Sequence, residues 1–308
     1  MSEHQIVKEQ GRAVEERGQR SKRSTGSDAR GQLLYGLRVT ERQCQVGGVS
    51  TTVLEGGDGA PVVLLHGPGG SAVHWWRVIN DLVTTNCLVI PDLPGQGSSE
   101  VLGDPLDDEG VLEWLGELIE RRCPSPPALV GYALGGAIAA RFVCDREDRV
   151  GRLVLVDALG LCQFDPAPEF GLALDAFLAQ PSERTHDQLW RQCALDLDGM
   201  RQSMGGSWDS FEAYNLDRAR APSAMAALEL LMEQFGLPAI PAEKLARIAV
   251  PTTLIWGQHD LATPLQVAKA ASVSYGWPLH VIESCADDPP IEQPHAFVTA
   301  LRAALHAT

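Results

Sequence analysis

The stretch that decides the fold is Ala128-Leu129-Val130-Gly131-Tyr132-Ala133-Leu134-Gly135-Gly136, which runs into an alanine-rich segment at 137–142. The three apolar residues predict a buried strand, the glycines a tight turn and the alanine-rich segment a helix. A turn of this shape lifts the side chain of its central residue above the edge of a sheet. That residue is Ala133, whose methyl group cannot attack a carbonyl. The expected architecture and its usual chemistry therefore point in different directions.

Composition limits the classes of function. The chain has 308 residues, of which 44% are hydrophobic, enough for one large domain with an insertion. It has no run of 18 apolar residues and a polar N-terminal region, so we expect no transmembrane helix and no secretory signal. Seven cysteines without a Cys-x-x-Cys pair favour reduced thiols in a cytoplasmic protein and predict no metal site. The net charge of −15 disfavours nucleic acid or an anionic membrane as a partner.

The hydrophobic pattern divides the chain into a tail, a core and an insertion. Residues 1–36 are rich in Glu, Gln, Arg, Ser and Gly, and we expect a disordered polar tail there. Over 37–161 and 249–308, apolar strands alternate with helical patterns, which predicts a mostly parallel central sheet flanked by helices. Residues 162–248 break the alternation and hold most of the Met and Phe residues. We expect them to form a helical cap over a pocket for a small apolar molecule.

Five short segments, taken in order, carry a resemblance to a known family. They are the turn His66–Gly70, the segment Asp92–Ser99, the turn Gly131–Gly136, the segment Trp256–Asp260 and the turn Glu292–Pro294. In this order they resemble the α/β-hydrolase superfamily of the AB hydrolase-1 type with a cap domain. The resemblance implies an α/β-hydrolase fold with a helical cap insertion, in which the central turn is the nucleophile elbow.

The resemblance also implies positions for the catalytic groups. The family mechanism uses a serine, a histidine that takes its proton and a carboxylate that orients the histidine. Asp260 stands at the carboxylate position, and Asp157 is the alternative acid position. Ala133 stands at the nucleophile position, with Tyr132 before it, and Asp287 stands where the family carries its histidine. Asp287 is therefore expected to face Asp260, where two carboxyl groups would share a proton.

The remaining expectations concern the oxyanion hole and the pocket. The family's first donor corresponds to Pro68, which has no N–H, or after a shift of one residue to Gly69. The second donor is the amide of Leu134. We expect no cofactor and no metal, and His66, His259 and His295 are poor substitutes for a catalytic base. The residues expected to line the substrate pocket are His66, Trp75, Asp157 and Phe164.

Three hypotheses about function stay open. The first is an enzyme that works by acid–base chemistry without a covalent intermediate, such as a lyase, a decarboxylase or a hydrolase that activates water. Its available groups are Tyr132, Asp260, Asp287 and Asp288. The second is a pseudoenzyme that binds a small apolar ligand. The third is an ester or C–C hydrolase inactivated by a Ser-to-Ala change at position 133. The sequence leaves the oligomeric state open.

Overall fold

The central element of the molecule is a sheet of nine strands within the part of the chain that the computed structural model describes. That part is residues 26–306, except for the side chain of Ser27. The strands are β1 (Thr40–Val46), β2 (Val49–Gly56), β3 (Ala60–Leu65), β4 (Asn86–Pro91), β5 (Glu100–Val101), β6 (Ala128–Tyr132), β7 (Arg152–Val156), β8 (Thr252–Gly257) and β9 (Leu279–Ile282).

The strands are ordered β1-β2-β4-β3-β6-β7-β8-β9, and β5 pairs with β2. The β1–β2, β2–β4 and β2–β5 pairs are antiparallel, and every pair from β4 to β9 is parallel. Parallel strands are buried on both faces, which explains their continuous apolar runs. The mostly parallel sheet flanked by helices that the sequence predicts is confirmed.

Helices surround the sheet and fill the insertion between β7 and β8. Around the sheet, α2 (Trp76–Leu82) packs against α13 (Pro294–His306), and α3 (Asp108–Arg122) packs against α4 (Leu134–Arg146). Helices α5 to α10 lie in the insertion, which also contains a π-helical turn at Met232–Gly236. The helices are α1 (Gly26–Leu34), α2 (Trp76–Leu82), α3 (Asp108–Arg122), α4 (Leu134–Arg146), α5 (Pro168–Ala179), α6 (Glu183–Cys193), α7 (Leu197–Met204), α8 (Gly206–Ala219), α9 (Pro222–Leu231), α10 (Ala242–Leu245), α11 (Leu265–Tyr275), α12 (Pro289–Glu292) and α13 (Pro294–His306).

The insertion has a hydrophobic core of its own, separate from the core around the sheet. Aromatic side chains of α6 and α8 dominate it, with Trp190 packed edge-on against Trp208 and Phe211. Proline starts two of its helices, at Pro168 and Pro222, where a missing N–H costs no hydrogen bond. We call this helical segment the cap.

The N-terminal boundary differs from the sequence prediction. Residues 26–34 form the helix α1, although the sequence predicts a disordered tail up to residue 36. The helix packs against α8, and Ala29 and Leu33 are buried in the core of the cap. Burial against a neighbouring element stabilises a helix whose own sequence has little apolar content. Residues 1–25 of the predicted tail lie outside the described residues.

Two further observations concern membranes and disulfides. Over residues 26–306, none of the helices has the length and hydropathy that crossing a membrane would need. All seven cysteines, from Cys44 to Cys285, have free thiols.

Candidate active site

The turn between β6 and α4 holds Ala133 in a strained conformation. Its φ is 46° and its ψ is −110°, a region that residues with a side chain rarely adopt. The strain persists because neighbouring glycines let the chain pack closely. A Cβ atom on Gly131 would lie 2.3 Å from the carbonyl oxygen of Gly135, and one on Gly135 would lie 2.5 Å from that of Leu65. The sequence therefore folds into a raised turn with a methyl group at its apex.

Tyr132 covers this turn from one side. A Cβ atom on Gly67 would lie 2.6 Å from Cε1 of the Tyr132 ring. The ring therefore rests on the backbone of the turn His66–Gly70, which we call the glycine-rich turn. The imidazole of His74 stacks on the same phenol ring, with the ring centroids 4.7 Å apart and the ring planes at an angle of 12°. Burial, followed by Asp287 and Asp288, raises the pKa of Tyr132 well above its usual range. The phenol is therefore a hydrogen-bond donor at neutral pH.

Asp157 and Asp260 form a buried carboxyl pair next to this turn. Asp157 follows β7 with a φ of 42°, and its Oδ1 accepts a hydrogen bond from the N–H of Gly257 at 2.8 Å. Oδ1 of Asp260 accepts hydrogen bonds from the N–H groups of Ala262 and Thr263, at 2.7 and 2.8 Å. The Oδ2 atoms of both aspartates are buried and have no donor among residues 26–306. One proton shared between the two carboxyl groups supplies that donor.

The environment of the pair keeps a proton on it. Burial, followed by the Asp260 carboxyl, raises the pKa of Asp157 well above its usual range. Burial raises the pKa of Asp260 to about 7, although the N–H groups of Thr263 and Ala262 oppose the shift. Because the pKa values of both carboxyl groups are raised, the pair holds a proton at neutral pH.

Asp287 joins this pair from the loop after β9. Burial, followed by the charges of Asp260 and Asp288, raises its pKa well above the usual range. Its backbone N–H donates to the carbonyl oxygen of Cys193, at the end of α6, over 3.1 Å. The cap thus contacts the carboxyl cluster directly. The charge of Asp260 contributes to this shift, and the facing arrangement of the Asp287 and Asp260 carboxyl groups stays a prediction.

His74 and Asp288 are a second pair in the same site. Nε2 of His74 lies 3.1 Å from Oδ1 of Asp288, and the two side chains are only 10% and 4% exposed. His74 lies in the 3₁₀ turn Ala72–Trp75 that follows the glycine-rich turn. Sequence reasoning weighed other histidines and missed this one, because its partner is more than 200 residues away along the chain. The one signal in the sequence was that His74 lies shortly after the motif His66–Gly70, which places it close to the site.

Two residues expected in the substrate pocket lie elsewhere, so that expectation is wrong for them. His66 is fully buried, its Nε2 accepts from the N–H of Leu93 at 3.0 Å, and its Nδ1 contacts the carbonyl oxygen of Gly67 at 2.8 Å. Burial lowers the pKa of His66 to about 4, which keeps it neutral. Trp75 is fully buried in the core, with its ring 5.9 Å from that of Phe297. His66 therefore ties its own turn to Leu93, and Trp75 packs in the core.

The other expected pocket residues lie near Asp260. Phe164 lines a cavity of about 630 Å³, together with Thr263, whose N–H donates to Asp260. The cavity lies between the loop after β7 and the loop after β8. Asp157 is buried in the carboxyl pair and does not line this cavity, so the expectation that it lines the pocket is wrong for this residue. The residues that line the cavity are Leu159, Gly160, Cys162, Gln163, Phe164, Asp165, Ala262, Thr263, Pro264 and Val267.

The candidate oxyanion donors lie around the raised turn. Leu134 is the first residue of α4, where a backbone N–H has no partner within the helix. Pro68 has no N–H to offer, and Gly69 follows it with a φ of 65°. A side chain on Gly69 would meet Leu228 of the cap at 3.6 Å. The cap therefore lies over this turn, as a lid on a site would.

The described part of the chain contains no cluster of three or more His, Cys, Asp or Glu residues suited to a metal ion. The chemistry that the site offers is that of neutral carboxyl groups, a phenol and a histidine–carboxylate pair. All of these groups lie at the carboxyl ends of parallel strands or in the loops beside them, where α/β folds bind their ligands.

The fold and this placement of side chains define a class of protein, and comparison with known sequences identifies the same class. The sequence model of the alpha/beta hydrolase family matches residues 62–300. The chain belongs to this alpha/beta hydrolase family.

Two relatives and one solved structure illustrate the family. The chain is 30% identical to a pimeloyl-[acyl-carrier protein] methyl ester esterase of Chromobacterium violaceum, over 68% of this chain and 79% of that protein. It is 28% identical to a 2-hydroxy-6-oxo-6-phenylhexa-2,4-dienoate hydrolase of Comamonas testosteroni, over 68% and 75%. The structure of a hydrolase with that substrate name from Rhodococcus sp. strain RHA1 superposes with a TM-score of 0.75 at 23% identity, covering 88% of this chain and 100% of the other. That structural likeness supports the α/β-hydrolase fold.

Proposed function

We propose that this protein hydrolyses a small, mainly apolar ester by acid–base chemistry, with water as the nucleophile and without an acyl-enzyme. The observation that carries the proposal is the cluster of buried carboxyl groups beside Ala133. Burying Asp157, Asp260 and Asp287 together is costly, and groups with strongly shifted pKa values in a site are candidates for catalysis. The relatives that are esterases and C–C hydrolases support a substrate with a reactive carbonyl.

The cluster is suited to protonating a leaving group. Asp287 keeps its proton at neutral pH because of burial and the neighbouring carboxyl groups, so it is a general acid for the departing alkoxide. Tyr132 is a second neutral donor, suited to the carbonyl oxygen. Ala133 offers no atom that can bond to the acyl carbon. In this proposal the usual serine and histidine of the family are replaced, and the family's triad is degenerate.

Turnover of ethyl esters of C2 to C12 acids, followed by titration of the acid released, tests the proposal, because a departing ethoxide needs a proton whereas p-nitrophenolate would leave without one. We expect hydrolysis by the wild type and a loss of about 100-fold or more in kcat/KM for Asp287→Asn, the size of a general-acid contribution. The control is Asp104→Asn, which changes an exposed carboxylate in a surface loop and leaves turnover unchanged. A fluorophosphonate probe should not label the wild type. No turnover of any ester, or equal turnover by Asp287→Asn, would contradict the proposal.

A second candidate is a ligand-binding protein without catalysis. The observation in its favour is the closed packing at the apex of the turn, where Tyr132 and Ala133 are 6% and 7% exposed. A site this closed can hold a small ligand only if the cap moves. Ligand binding that is equal in the wild type and in Asp287→Asn, without turnover, would select this candidate.

A further inference from the structure

The proposed reaction needs a group that takes a proton from water, and the carboxyl cluster does not supply one. Asp157 and Asp287 hold their own protons because of burial and mutual repulsion. Asp260 is buried, its Oδ1 already accepts hydrogen bonds from the N–H groups of Ala262 and Thr263, and its carboxyl group interacts with that of Asp157. A group outside this buried cluster is therefore a better candidate for the base.

His74 satisfies this requirement by its position. Its ring stacks on Tyr132, the residue directly before the apex of the raised turn, at a centroid distance of 4.7 Å. Its Nε2 is buried and lies 3.1 Å from Oδ1 of Asp288. No hydrogen bond from any residue in 26–306 reaches Nδ1, the other ring nitrogen. Neither Nε2 of His74 nor Oδ1 of Asp288 has a hydrogen-bond partner among residues 26–306, so a proton on Nε2 would satisfy both atoms and leave the lone pair on Nδ1.

We infer that His74 and Asp288 are the base of this site: Asp288 orients the imidazole through Nε2, and Nδ1 of His74 takes the proton from the attacking water. This inference rests on the proposed ester hydrolysis. In the family the catalytic histidine corresponds to the loop after β9, whereas the inferred base lies in the turn after β3. A carboxylate orients the histidine in both cases.

The groups around His74 are compatible with this role. Asp288 faces it from the loop before α12, Tyr132 faces it from β6, and the charge of Asp287 acts on Tyr132. His66, buried under the glycine-rich turn, is neutral because burial lowers its pKa to about 4, so it adds no repelling charge. Arg77 on α2 lies near Asp288 and donates to the carbonyl oxygen of Ile291.

The atoms and charges of the reaction balance. The water oxygen bonds to the ester carbonyl carbon while one water proton passes to Nδ1 of His74, and the carbonyl oxygen becomes an oxyanion. When the intermediate collapses, the bond from carbon to the alkoxy oxygen breaks and the leaving oxygen takes the proton of Asp287. The proton held by the imidazolium returns to Asp287 through solvent. Ester and water have then become an acid and an alcohol, and both side chains are restored.

The kinetic test compares His74→Gln with the wild type on the ethyl ester that the wild type hydrolyses best. We expect kcat/KM to fall about 100-fold or more and the loss of activity toward acid pH to disappear from the profile. The matched control is His259→Gln, an exposed histidine after β8, which should leave the rate and the profile unchanged. Thermal unfolding of each variant identifies one that has failed to fold.

The kinetic outcomes separate this inference from the proposed function. If Asp287→Asn abolishes turnover while His74→Gln keeps the wild-type rate and profile, the hydrolysis stands and His74 is not its base. If the wild type turns over no ester, the proposed function fails, and the base role of His74 fails with it.

A spectroscopic test addresses the pair without turnover. In protein labelled with ¹⁵N-histidine, NMR shifts report which ring nitrogen of neutral His74 carries the proton. We expect the proton on Nε2 in the wild type and a mixture of tautomers in Asp288→Ala. The same tautomer in both proteins would show that Asp288 does not orient the ring, and it would overturn the inferred dyad.

Discussion

At the scale of single residues, the backbone of Ala133 is the feature that makes the clearest prediction. Its φ of 46° and ψ of −110° suit glycine, and holding a side chain there costs about 1–3 kcal/mol. We expect Ala133→Gly to raise the free energy of unfolding by about 1 kcal/mol, after the added entropy of the unfolded chain is subtracted. Chemical denaturation with urea measures the change.

The same substitution elsewhere in the turn-helix segment is the control. Ala139 lies in the middle of α4 and is fully buried, so Ala139→Gly loses helix propensity and a buried methyl group. We expect that variant to be destabilised by about 1–2 kcal/mol. If both variants lose stability alike, the raised turn is not strained.

Restoring the family's groups at two residues tests which groups are replaced. We expect Ala133→Ser alone to react no faster with a fluorophosphonate probe than the wild type, because Asp287 holds the position that faces Asp260. The double variant Ala133→Ser/Asp287→His restores a serine and an imidazole beside that carboxylate and should become labelled. Labelling of the single variant would show that another residue already activates a hydroxyl at position 133.

The sequence located some of these residues and not others, for a physical reason. Ala133, Asp260 and Asp287 could be placed because each lies in or at a fixed distance from a motif that the order of strands positions. The His74–Asp288 pair joins residues of no motif through a fold-dependent contact of 3.1 Å, which no local pattern encodes. The shared proton of Asp157 and Asp260 was also out of reach, because burial determines it.

At the scale of elements, the helix α1 joins the cap to the core through one arginine. Nε of Arg30 lies 2.8 Å from Oε2 of Glu41, and Nη2 lies 3.1 Å from Oδ2 of the fully buried Asp92 in the core. Nη1 donates to the hydroxyl of Tyr214 in the cap at 3.1 Å. The Arg30 side chain is 7% exposed. Removing it leaves the buried carboxylate of Asp92 without its charged partner.

We expect Arg30→Met to destabilise the protein by about 3–5 kcal/mol, as breaking a buried ion pair does. It should also expose α1 to trypsin, which limited proteolysis followed by mass spectrometry measures. The control is Arg42→Met, because Arg42 is 59% exposed and its pair with Glu55 belongs to a class that contributes about 0–1 kcal/mol. A loss for Arg30→Met no larger than for Arg42→Met would mean that α1 does not tie the cap to the core.

The helix α1 also shows why the sequence predicts ordered structure only from residue 37 onward. The segment Gly26–Leu34 contains three charged or amide side chains and two glycines, a composition typical of unpacked chain. Its stability comes from Arg30, Ala29 and Leu33 fitting partners that lie far along the sequence. The sheet, in contrast, was predictable because its strands are long apolar runs whose periodicity is local.

At the scale of the whole molecule, the carboxyl cluster couples stability to pH. An aspartate has a pKa of about 3.9 in the unfolded chain, whereas burial raises that of Asp260 to about 7 and that of Asp157 well above its usual range. Between these values the folded protein binds more protons than the unfolded chain. The contribution of the pair is therefore fully present below about pH 4 and is lost as the pH rises through 7.

We expect the free energy of unfolding to fall more steeply between pH 5 and 8 in the wild type than in Asp157→Asn, because the amide donates to Asp260 without releasing a proton. The control is Asp187→Asn. Slight burial acts to raise the pKa of Asp187, but hydrogen bonds from Arg201 and Arg191 lower it, so the contribution of Asp187 to stability is lost only in acid. That variant should keep the wild-type slope from pH 5 to 8. Urea titrations at each pH measure the slopes, and equal slopes in the wild type and Asp157→Asn would mean that the buried pair does not hold its proton.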